Sequence, residues 1–171
     1  MKWDIHLINN NMADKIILCF MQNMWVKKPK KMYKILKEKP NDWNMWCKTL
    51  LFAGCTSGRR LKQAFGDVVN LMIWDETTKE ICDNPRTVPK ADLTHISDTI
   101  KRIKPDIIIT FGKHAEKAVC DMYESGVIYY HSTPLPKHFF LCTHPAARQP
   151  DTIEKLTRIA QKLNNVLQSN P

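Results

Sequence analysis

The chain has no long hydrophobic run, and its longest strongly apolar stretch is Ile16–Met21. A helix that crosses a bilayer needs about 20 apolar residues, so no segment predicts a membrane span. Near the start, Asp4 and His6 interrupt the continuous apolar region that a signal peptide requires. We therefore expect an intracellular protein, cytoplasmic or nucleoid-associated, without membrane contact.

Metal-binding patterns are also missing. The six cysteines form no Cys-x-x-Cys pair and show no local cysteine–histidine spacing suited to zinc. Several of them lie in apolar runs, where a free thiol behaves as a small hydrophobe. The sequence predicts reduced cysteines, no metal site and no cofactor.

The chain contains only five glycines, and none of them builds a familiar nucleotide-binding loop. Gly54 and Gly58 fit neither Gly-x-Gly-x-x-Gly nor Gly-x-x-x-x-Gly-Lys-Ser/Thr. No arginine follows Cys55 at the distance that a phosphatase loop requires. A nucleophilic pair of Cys55 and His144 stays open, although a lone cysteine after a strand usually serves packing.

Acidic residues are outnumbered by basic ones, 17 against 26, and the net charge is +9. Such a charge favours an anionic partner, with nucleic acid ahead of a membrane surface. A dense basic run extends over residues 27–39. It is either a solvated helix face or a surface that contacts phosphates.

The length of 171 residues fits one domain, residues 1–171. We divide it into a helical, lysine-rich N-terminal part (1–48) and a core (49–171). In the first part, Asp14 is the expected N-cap of a helix whose apolar residues recur at helical spacing. These residues are Ile17, Phe20, Met21 and Met24.

In the core, four apolar segments typical of buried strands alternate with amphipathic helical segments. The predicted strands are Leu50–Ala53, Asp67–Trp74, Asp106–Phe111 and Phe139–Cys142; helices are predicted at Arg59–Phe65 and after Asp92, Gly112 and Asp151, where Glu154 completes a capping box. Asp75–Pro89 is predicted to be a surface loop, and Val127–Tyr130 a short strand or an extended connection. This alternation predicts an α/β fold, a three-layer α/β/α domain with a four-stranded, mainly parallel sheet.

Two turns are expected to face one crevice at the carboxyl ends of the strands. The first, Gly54–Gly58, follows the predicted strand Leu50–Ala53, and the second, Thr143–Pro150, follows the last strand. Functional side chains in parallel α/β sheets gather at such an edge. The two turns are therefore our candidates for the site.

Three segments resemble motifs of the uracil-DNA glycosylase superfamily, closest to its single-strand-selective and mismatch-specific branches. Gly54-Cys-Thr-Ser-Gly58 with Ala64-Phe65-Gly66 resembles the first motif, Gly-x-Asn-Pro-Gly followed by Phe-Gly. Residues 104–115 resemble the segment with lysine-proline, an apolar strand and Leu-Gly-Lys-x-Ala. His144-Pro-Ala-Ala-Arg-Gln-Pro150 resembles His-Pro-Ser-Pro-Arg-Asn-Pro. The resemblance runs from Thr49 to Leu167 and leaves out the first 48 residues.

The resemblance implies a monomeric, cofactor-free DNA glycosylase that flips a uracil or modified pyrimidine out of DNA and hydrolyses its N-glycosidic bond. It implies that His144 donates to the carbonyl oxygen of the departing base and that Thr56 stands where the family has its water-handling Asn. The other implied contacts are to the base by Phe65, Asn70, Gly54 and Cys55, and to DNA by Ser57, Gly58, Arg59, Lys113 and Arg148, with Arg148 filling the gap in the duplex.

The chain departs from the family at Thr56, because a threonine hydroxyl can orient water but cannot act as a base near neutral pH. Asp67 or Asp75 is an alternative base. The excised base can instead be a better leaving group or a larger pyrimidine. A third alternative is a DNA-binding or decoy protein that has lost hydrolysis. Since the first motif contains no lysine, we expect no Schiff-base lyase.

Structural roles compete with several of these assignments. His144 can be a hydrogen-bonded structural histidine, Phe65 a core residue, and Asn70 a buried strand amide bonded to the backbone. Arg148 can be an ordinary surface arginine, and the Thr56 hydroxyl can simply satisfy amides of the turn.

Overall fold

The structure, a computed structural model, describes residues 15–22, 24–25, 43–82, 88–125 and 133–169. The expected cap at Asp14, the basic run 27–39 and the segment Val127–Tyr130 lie outside these residues. None of the helices in the described ranges is both long enough and apolar enough to cross a membrane.

A sheet of four parallel strands forms the centre of the protein. It contains β1 (Ile17–Met21), β3 (Ile73–Glu76), β5 (Ile107–Phe111) and β6 (His138–Cys142), in the order β3-β1-β5-β6. Two shorter strands, β2 (Met24–Trp25) and β4 (Ile81–Cys82), pair in parallel as a separate two-stranded sheet. Every residue of β1 and β5 is buried, as expected for strands covered on both faces.

Within the described residues, five helices cover the two faces of the sheet: α1 (Trp43–Phe52), α2 (Thr56–Phe65), α3 (Leu93–Ile103), α4 (Lys113–Glu124) and α5 (Thr152–Gln168). One core contains apolar side chains of α1, α2 and α5, and the other contains those of α3 and α4. The prediction of a three-layer α/β/α fold is confirmed, and the four-stranded sheet is entirely parallel.

The predicted N-terminal helix through Ile17, Phe20 and Met21 is wrong. These residues form β1, a central strand that pairs with both β3 and β5. A strand buried on both faces is apolar at every position, so it also satisfies a helical spacing of apolar residues. One strand of the sheet thus comes from the part that we had predicted to be helical.

Two predicted strands are wrong or displaced. Leu50–Ala53 is not a strand, because α1 continues to Phe52 and packs on β3. In the segment Asp67–Trp74, a short 3₁₀ helix occupies Gly66–Asn70, and β3 begins only at Ile73. The predicted loop Asp75–Pro89 accordingly contains the end of β3 and all of β4.

Predictions for the second half of the core are confirmed within a few residues. The helices after Asp92, Gly112 and Asp151 and the last two strands are all present. The Asp92 carboxylate accepts a hydrogen bond from the backbone N–H of His95, as expected of an N-cap. Asp151 makes no such bond, so the predicted capping box is absent. Its carboxylate lies 3.0 Å from Lys155 Nζ instead.

Candidate active site

The carboxyl ends of the four parallel strands meet at one edge of the sheet. There Gln22 follows β1, Glu76 ends β3, Gly112 follows β5, and His144 follows β6 after one intervening residue. Ligands of open parallel sheets bind in the crevice outside this edge. This edge is therefore the candidate site.

His144 is held as a neutral ring. The backbone N–H of Ala146 donates to its Nδ1 at 3.1 Å, which places the ring proton on Nε2. Burial lowers the pKa of His144, and the neighbouring His114 lowers it further. The Nε2–H group is thus available as a donor to a ligand.

Gly112 lies directly against His144. Its φ is +93°, and a Cβ atom added there would meet His144 Cβ at 3.0 Å and Cδ2 at 3.3 Å. Only glycine meets both requirements without displacing the histidine. The turn after β5 therefore fixes the position of the imidazole.

Arg60 fastens the turn after β6 to α2. Its Nη1 atom donates to the carbonyl oxygens of Pro145 at 2.8 Å and Ala147 at 2.7 Å. The buried Thr152 hydroxyl lies 3.2 Å from the same Ala147 oxygen. Arg59 was predicted to contact DNA, and Arg60 was not among the predicted residues. Helical spacing could have identified Arg60, because it lies one turn before the inward-facing Ala64 and therefore on the same side of the helix.

The Gly54–Gly58 segment connects two helices and does not follow a strand. Cys55 is the N-cap of α2: its Sγ accepts from the Gly58 N–H at 3.3 Å, and its thiol donates to Leu51 O at 2.9 Å. A Cβ atom at Gly58 would lie 1.9 Å from Leu51 O, so this glycine permits close packing of α1 and α2. The segment serves the junction of the two helices.

Thr56 is the first residue of α2 and is exposed. Its Oγ1 accepts a hydrogen bond of 3.4 Å from Arg59 Nη2. Ser57 beside it is half-buried, and Gly54 has a φ of +107° with open space around it. The predicted water-handling residue is therefore close to the solvent at a helix start.

Phe65 belongs to a cluster of aromatic rings on the α1–α2–α5 face. Its ring meets Phe111 edge-on at 6.0 Å, Trp74 stacks on Phe111 at 5.6 Å, and Phe52 meets Trp74 edge-on at 5.5 Å. Phe65 is buried, whereas Phe52 is half-buried with Lys62 Nζ over its ring. In this structure Phe65 packs as a core residue.

Asp75 was an alternative base in the sequence analysis, but its carboxylate already has hydrogen-bond partners within the protein. Its buried carboxylate accepts from Trp43 Nε1 at 2.7 Å, the Glu76 N–H at 2.7 Å and Thr99 Oγ1 at 3.0 Å, and lies 3.0 Å from His95 Nε2. Burial alone would raise its pKa, but these hydrogen bonds outweigh it and hold the pKa below the ordinary value. Asp75 anchors β3 to α1 and α3. The other alternative, Asp67, is exposed.

Glu76 is the next residue and was missed by the sequence analysis. Its side chain is buried, and Oε2 has no hydrogen-bond partner among the described residues. Burial raises its pKa well above the ordinary value, and the charge of Asp75 raises it further. The Asp-Glu pair at the end of an apolar strand was the signal that could have identified it.

The remaining predicted residues are on the surface. Asn70 is exposed at the end of the 3₁₀ helix rather than inside a strand, and its carbonyl accepts from Lys48 Nζ. Lys113 begins α4 next to Gly112, and Arg148 follows the turn that Arg60 holds; both are exposed. Within the described ranges, no group of three His, Cys, Asp or Glu side chains is arranged to hold a metal ion.

The family comparison agrees with this architecture. The model of the family described as "Uracil DNA glycosylase superfamily" matches residues 21–168. The match begins at the end of β1, so residues 21–48 lie inside it, and the expectation that all of the first 48 residues lie outside the resemblance is wrong for them. No curated protein matches the chain.

Proposed function

Because the chain belongs to the uracil DNA glycosylase superfamily, we propose that it is a monofunctional DNA glycosylase acting on uracil or a modified pyrimidine. The single observation that carries the proposal is the neutral His144, oriented by the Ala146 N–H beside Gly112 at the carboxyl edge of the sheet. Ligands of open parallel α/β sheets bind at this edge, and a base that is flipped out of DNA needs such a pocket.

The proposed chemistry uses His144 as an electrostatic donor. When the N-glycosidic bond breaks, the departing pyrimidine gathers negative charge on a carbonyl oxygen. The Nε2–H of His144 donates to that oxygen, and a pre-oriented donor of this kind is typically worth about 10²–10³ in rate. Because the pKa of His144 is lowered, the ring stays neutral and keeps its tautomer at physiological pH.

Two residues are candidates for positioning the attacking water in this proposal. Thr56 is the candidate from the motif resemblance, but a helix and not a strand precedes its turn. The first strand of the sheet is β1, and the amides Gln22 and Asn23 follow it in the sequence. Asn23 lies outside the described residues, and only its place in the sequence supports it.

Thr56→Ala and Asn23→Ala discriminate between the two candidates. Loss of the water-handling residue should lower single-turnover excision by about 10²-fold or more and leave DNA affinity unchanged. If neither substitution lowers the rate, water is positioned by another group, and both assignments are withdrawn.

The activity is tested with single- and double-stranded oligonucleotides that each carry one altered base. After incubation with the protein, alkali cleaves the strand wherever a base has been removed. We expect cleavage for at least one pyrimidine, and His144→Ala should lower its single-turnover rate by about 10²-fold or more with nearly unchanged DNA affinity. Equal rates for the variant and the parent would remove His144 from the mechanism.

A binding-only function is the second candidate, and the exposed threonine at the motif position favours it. A protein of this kind would bind the same oligonucleotides and leave every base in place. Tight binding without alkali-sensitive sites across the whole panel would establish it.

A further inference from the structure

The donor side of the His144 ring lies towards the start of α4. On one side of the ring, Nδ1 accepts from the Ala146 N–H at 3.1 Å. Gly112, the N-cap of α4, lies towards the other side, because a Cβ atom added there would meet His144 Cδ2 at 3.3 Å and Cγ at 3.5 Å. Since Cδ2 is bonded to Nε2 within an imidazole, the Nε2–H donor is on the side of the first turn of α4.

A second histidine, His114, lies in that first turn, two residues after Gly112. Its side chain is exposed and has no hydrogen-bond or ion-pair partner among the described residues. The two imidazoles are close enough that His114 lowers the pKa of His144. Two titratable rings therefore share this end of the sheet, and the proposed chemistry uses only one of them.

The surroundings of the two rings are mainly positive. The first turn of α4 has no side-chain cap, so its N–H groups keep their partial positive charge, and the exposed Lys113 lies beside them. The other titratable or charged groups of the adjoining elements are Glu116 and Lys117 on α4, His95 on α3, Cys142 on β6, Arg148 after β6 and Arg60 on α2.

Most of these other groups are neutral or already bonded. Lys117 pairs with Asp121, and His95 lies 3.0 Å from Asp75. Burial raises the pKa of the Cys142 thiol to about 12, so it carries no charge at neutral pH. Arg60 donates to two carbonyl oxygens of the turn after β6. A region of this charge favours a ligand that becomes negative.

We propose that protonated His114 stabilises the negative charge of the departing pyrimidine, as a second histidine on the leaving-group side beside neutral His144. The inference rests on the proposed function and adds a residue to its mechanism. The electron pair of the broken C1′–N1 bond leaves with the base, the oxygen of water bonds to C1′, and the proton of that water passes to solvent. His114 keeps its own proton and acts through its charge, while His144 donates a hydrogen bond.

This division of roles predicts a defined pH dependence. Imidazoles change charge between about pH 5 and 8, so His114 gains its charge as the pH falls through that range. His144 protonates only at lower pH, because its pKa is lowered. Its Nδ1 then can no longer accept from the Ala146 N–H. Excision should therefore rise as His114 becomes charged and fall once His144 does.

Single-turnover excision from an oligonucleotide that carries one deoxyuridine, measured from about pH 5 to pH 9 with saturating protein, tests this proposal. For the parent we expect a rate roughly three- to tenfold higher at about pH 6 than at about pH 8.5. This is less than a buried donor contributes, because solvent screens an exposed charge.

Two substitutions of His114 separate charge from structure. His114→Gln is always neutral, so its rate should stay at the parent's alkaline value down to the pH at which His144 protonates. His114→Lys stays charged to about pH 9 and should keep the parent's higher rate without the alkaline decline. His138→Gln is the matched control, because His138 is an exposed histidine at the first residue of β6, at the opposite end of the strand. It should follow the parent.

A second substrate and a second measurement show whether the effect is electrostatic. With 5-fluorodeoxyuridine at about pH 6.5, the loss caused by His114→Gln should be smaller, because fluorine withdraws charge and the base leaves with less help. In the DNA-free protein, NMR of labelled histidines should show His144 titrating at a higher pH in His114→Gln than in the parent. His138→Gln should not move that titration.

The outcomes distinguish this proposal from the activity itself. If His114→Gln keeps the parent's pH profile, or if the titration of His144 does not move, His114 has no part in the reaction, and glycosylase activity stands without it. If His114→Lys behaves like His114→Gln, positive charge is not what His114 supplies, and the proposal also falls. Absence of alkali-sensitive sites in both oligonucleotides at every pH would remove this inference together with the excision of uracil.

Discussion

At the scale of single residues, glycine at position 112 matters because of what it touches. Gly54 and Gly112 both have a φ near +100°, so both resist a side chain on backbone grounds. They differ in their surroundings. A Cβ atom at Gly54 meets nothing within 4 Å, whereas one at Gly112 meets the His144 side chain at 3.0 Å. Comparing substitutions at these two glycines therefore separates the effect of backbone strain from the effect of contact with His144.

We expect Gly54→Ala to lower the free energy of unfolding by about 1–2 kcal/mol, because it forces an L-residue into the left-handed region, and Gly112→Ala to lower it by at least as much, because its Cβ atom also meets His144. Only Gly112→Ala should lower excision, by roughly tenfold or more, since it displaces the imidazole. Urea unfolding and single-turnover assays measure the two effects. Equal activity of the two variants would show that contact with Gly112 does not position His144.

At the scale of elements, α2 positions the turn after β6 through Arg60. Arg60→Ala removes the donor to two carbonyl oxygens and should lower the excision rate about tenfold, with little change in DNA affinity. Arg59→Ala is the matched control, because Arg59 is exposed one residue away. It should weaken DNA binding if Arg59 contacts phosphate, and it should leave the rate of bound DNA unchanged unless Thr56, to which Arg59 donates, handles the water. A reversed pattern would assign the positioning role to Arg59.

The end of β3 is anchored by Asp75, and this anchor should depend on pH. The folded-state pKa of Asp75 lies below its ordinary value of 3.8. Its contribution to stability is therefore present above the unfolded pKa and is lost as the pH falls through the folded pKa. Asp75→Asn should cost about 2–4 kcal/mol at neutral pH, because the Trp43, His95 and Thr99 contacts lose their charged acceptor. Urea unfolding at neutral and at acidic pH measures the loss of stability caused by Asp75→Asn. This loss should be smaller in acid, and the same loss at both pH values would contradict this account.

The sequence predicts some helices and strands better than others. The difference depends on what produces the pattern of apolar residues in each of them. Helices α3, α4 and α5 each have one apolar stripe, and the helical spacing of their apolar residues can be recognised in the sequence. Strand β1 is apolar on both faces, so its pattern fitted a helix equally well. The Leu50–Ala53 run looked like a strand because it is short and apolar, yet it is the last turn of a helix that starts at Trp43. Whether such a segment becomes a helix or a strand is decided by its pairing and packing in the folded protein. The local sequence does not contain that information.

The same distinction applies to the site. The position of His144 at the carboxyl edge of the sheet was predictable, because the residue follows an apolar strand, whereas its role stays a prediction. The contact of Arg60 and the burial of Glu76 were not predictable, because the contact joins residues 85 positions apart and the burial arises from tertiary packing. Phe65 was predicted to hold the base, whereas the structure packs it against Phe111.

At the scale of the whole molecule, the charge of +9 is the property that most constrains the partner. Binding that neutralises phosphates releases counterions, so the logarithm of the affinity falls linearly with the logarithm of the salt concentration. If the crevice contacts about four to six phosphates, the slope is roughly −4 to −5. Lys113 and Arg148 are exposed beside the turns after β5 and β6, where DNA would lie under the proposed function.

Lys113→Gln and Arg148→Gln should each make the slope less steep by about one, because each removes one phosphate contact. Lys162→Gln is the matched control: it removes the same charge from an exposed position on α5, about three turns beyond the helix start. It should weaken binding slightly and leave the slope unchanged. Titrations of a labelled oligonucleotide at several salt concentrations provide these values. An equal effect of all three substitutions would mean that net charge, and not the crevice, attracts DNA. A flat salt dependence of the parent would remove DNA as the partner, and with it both the glycosylase and the binding-only function.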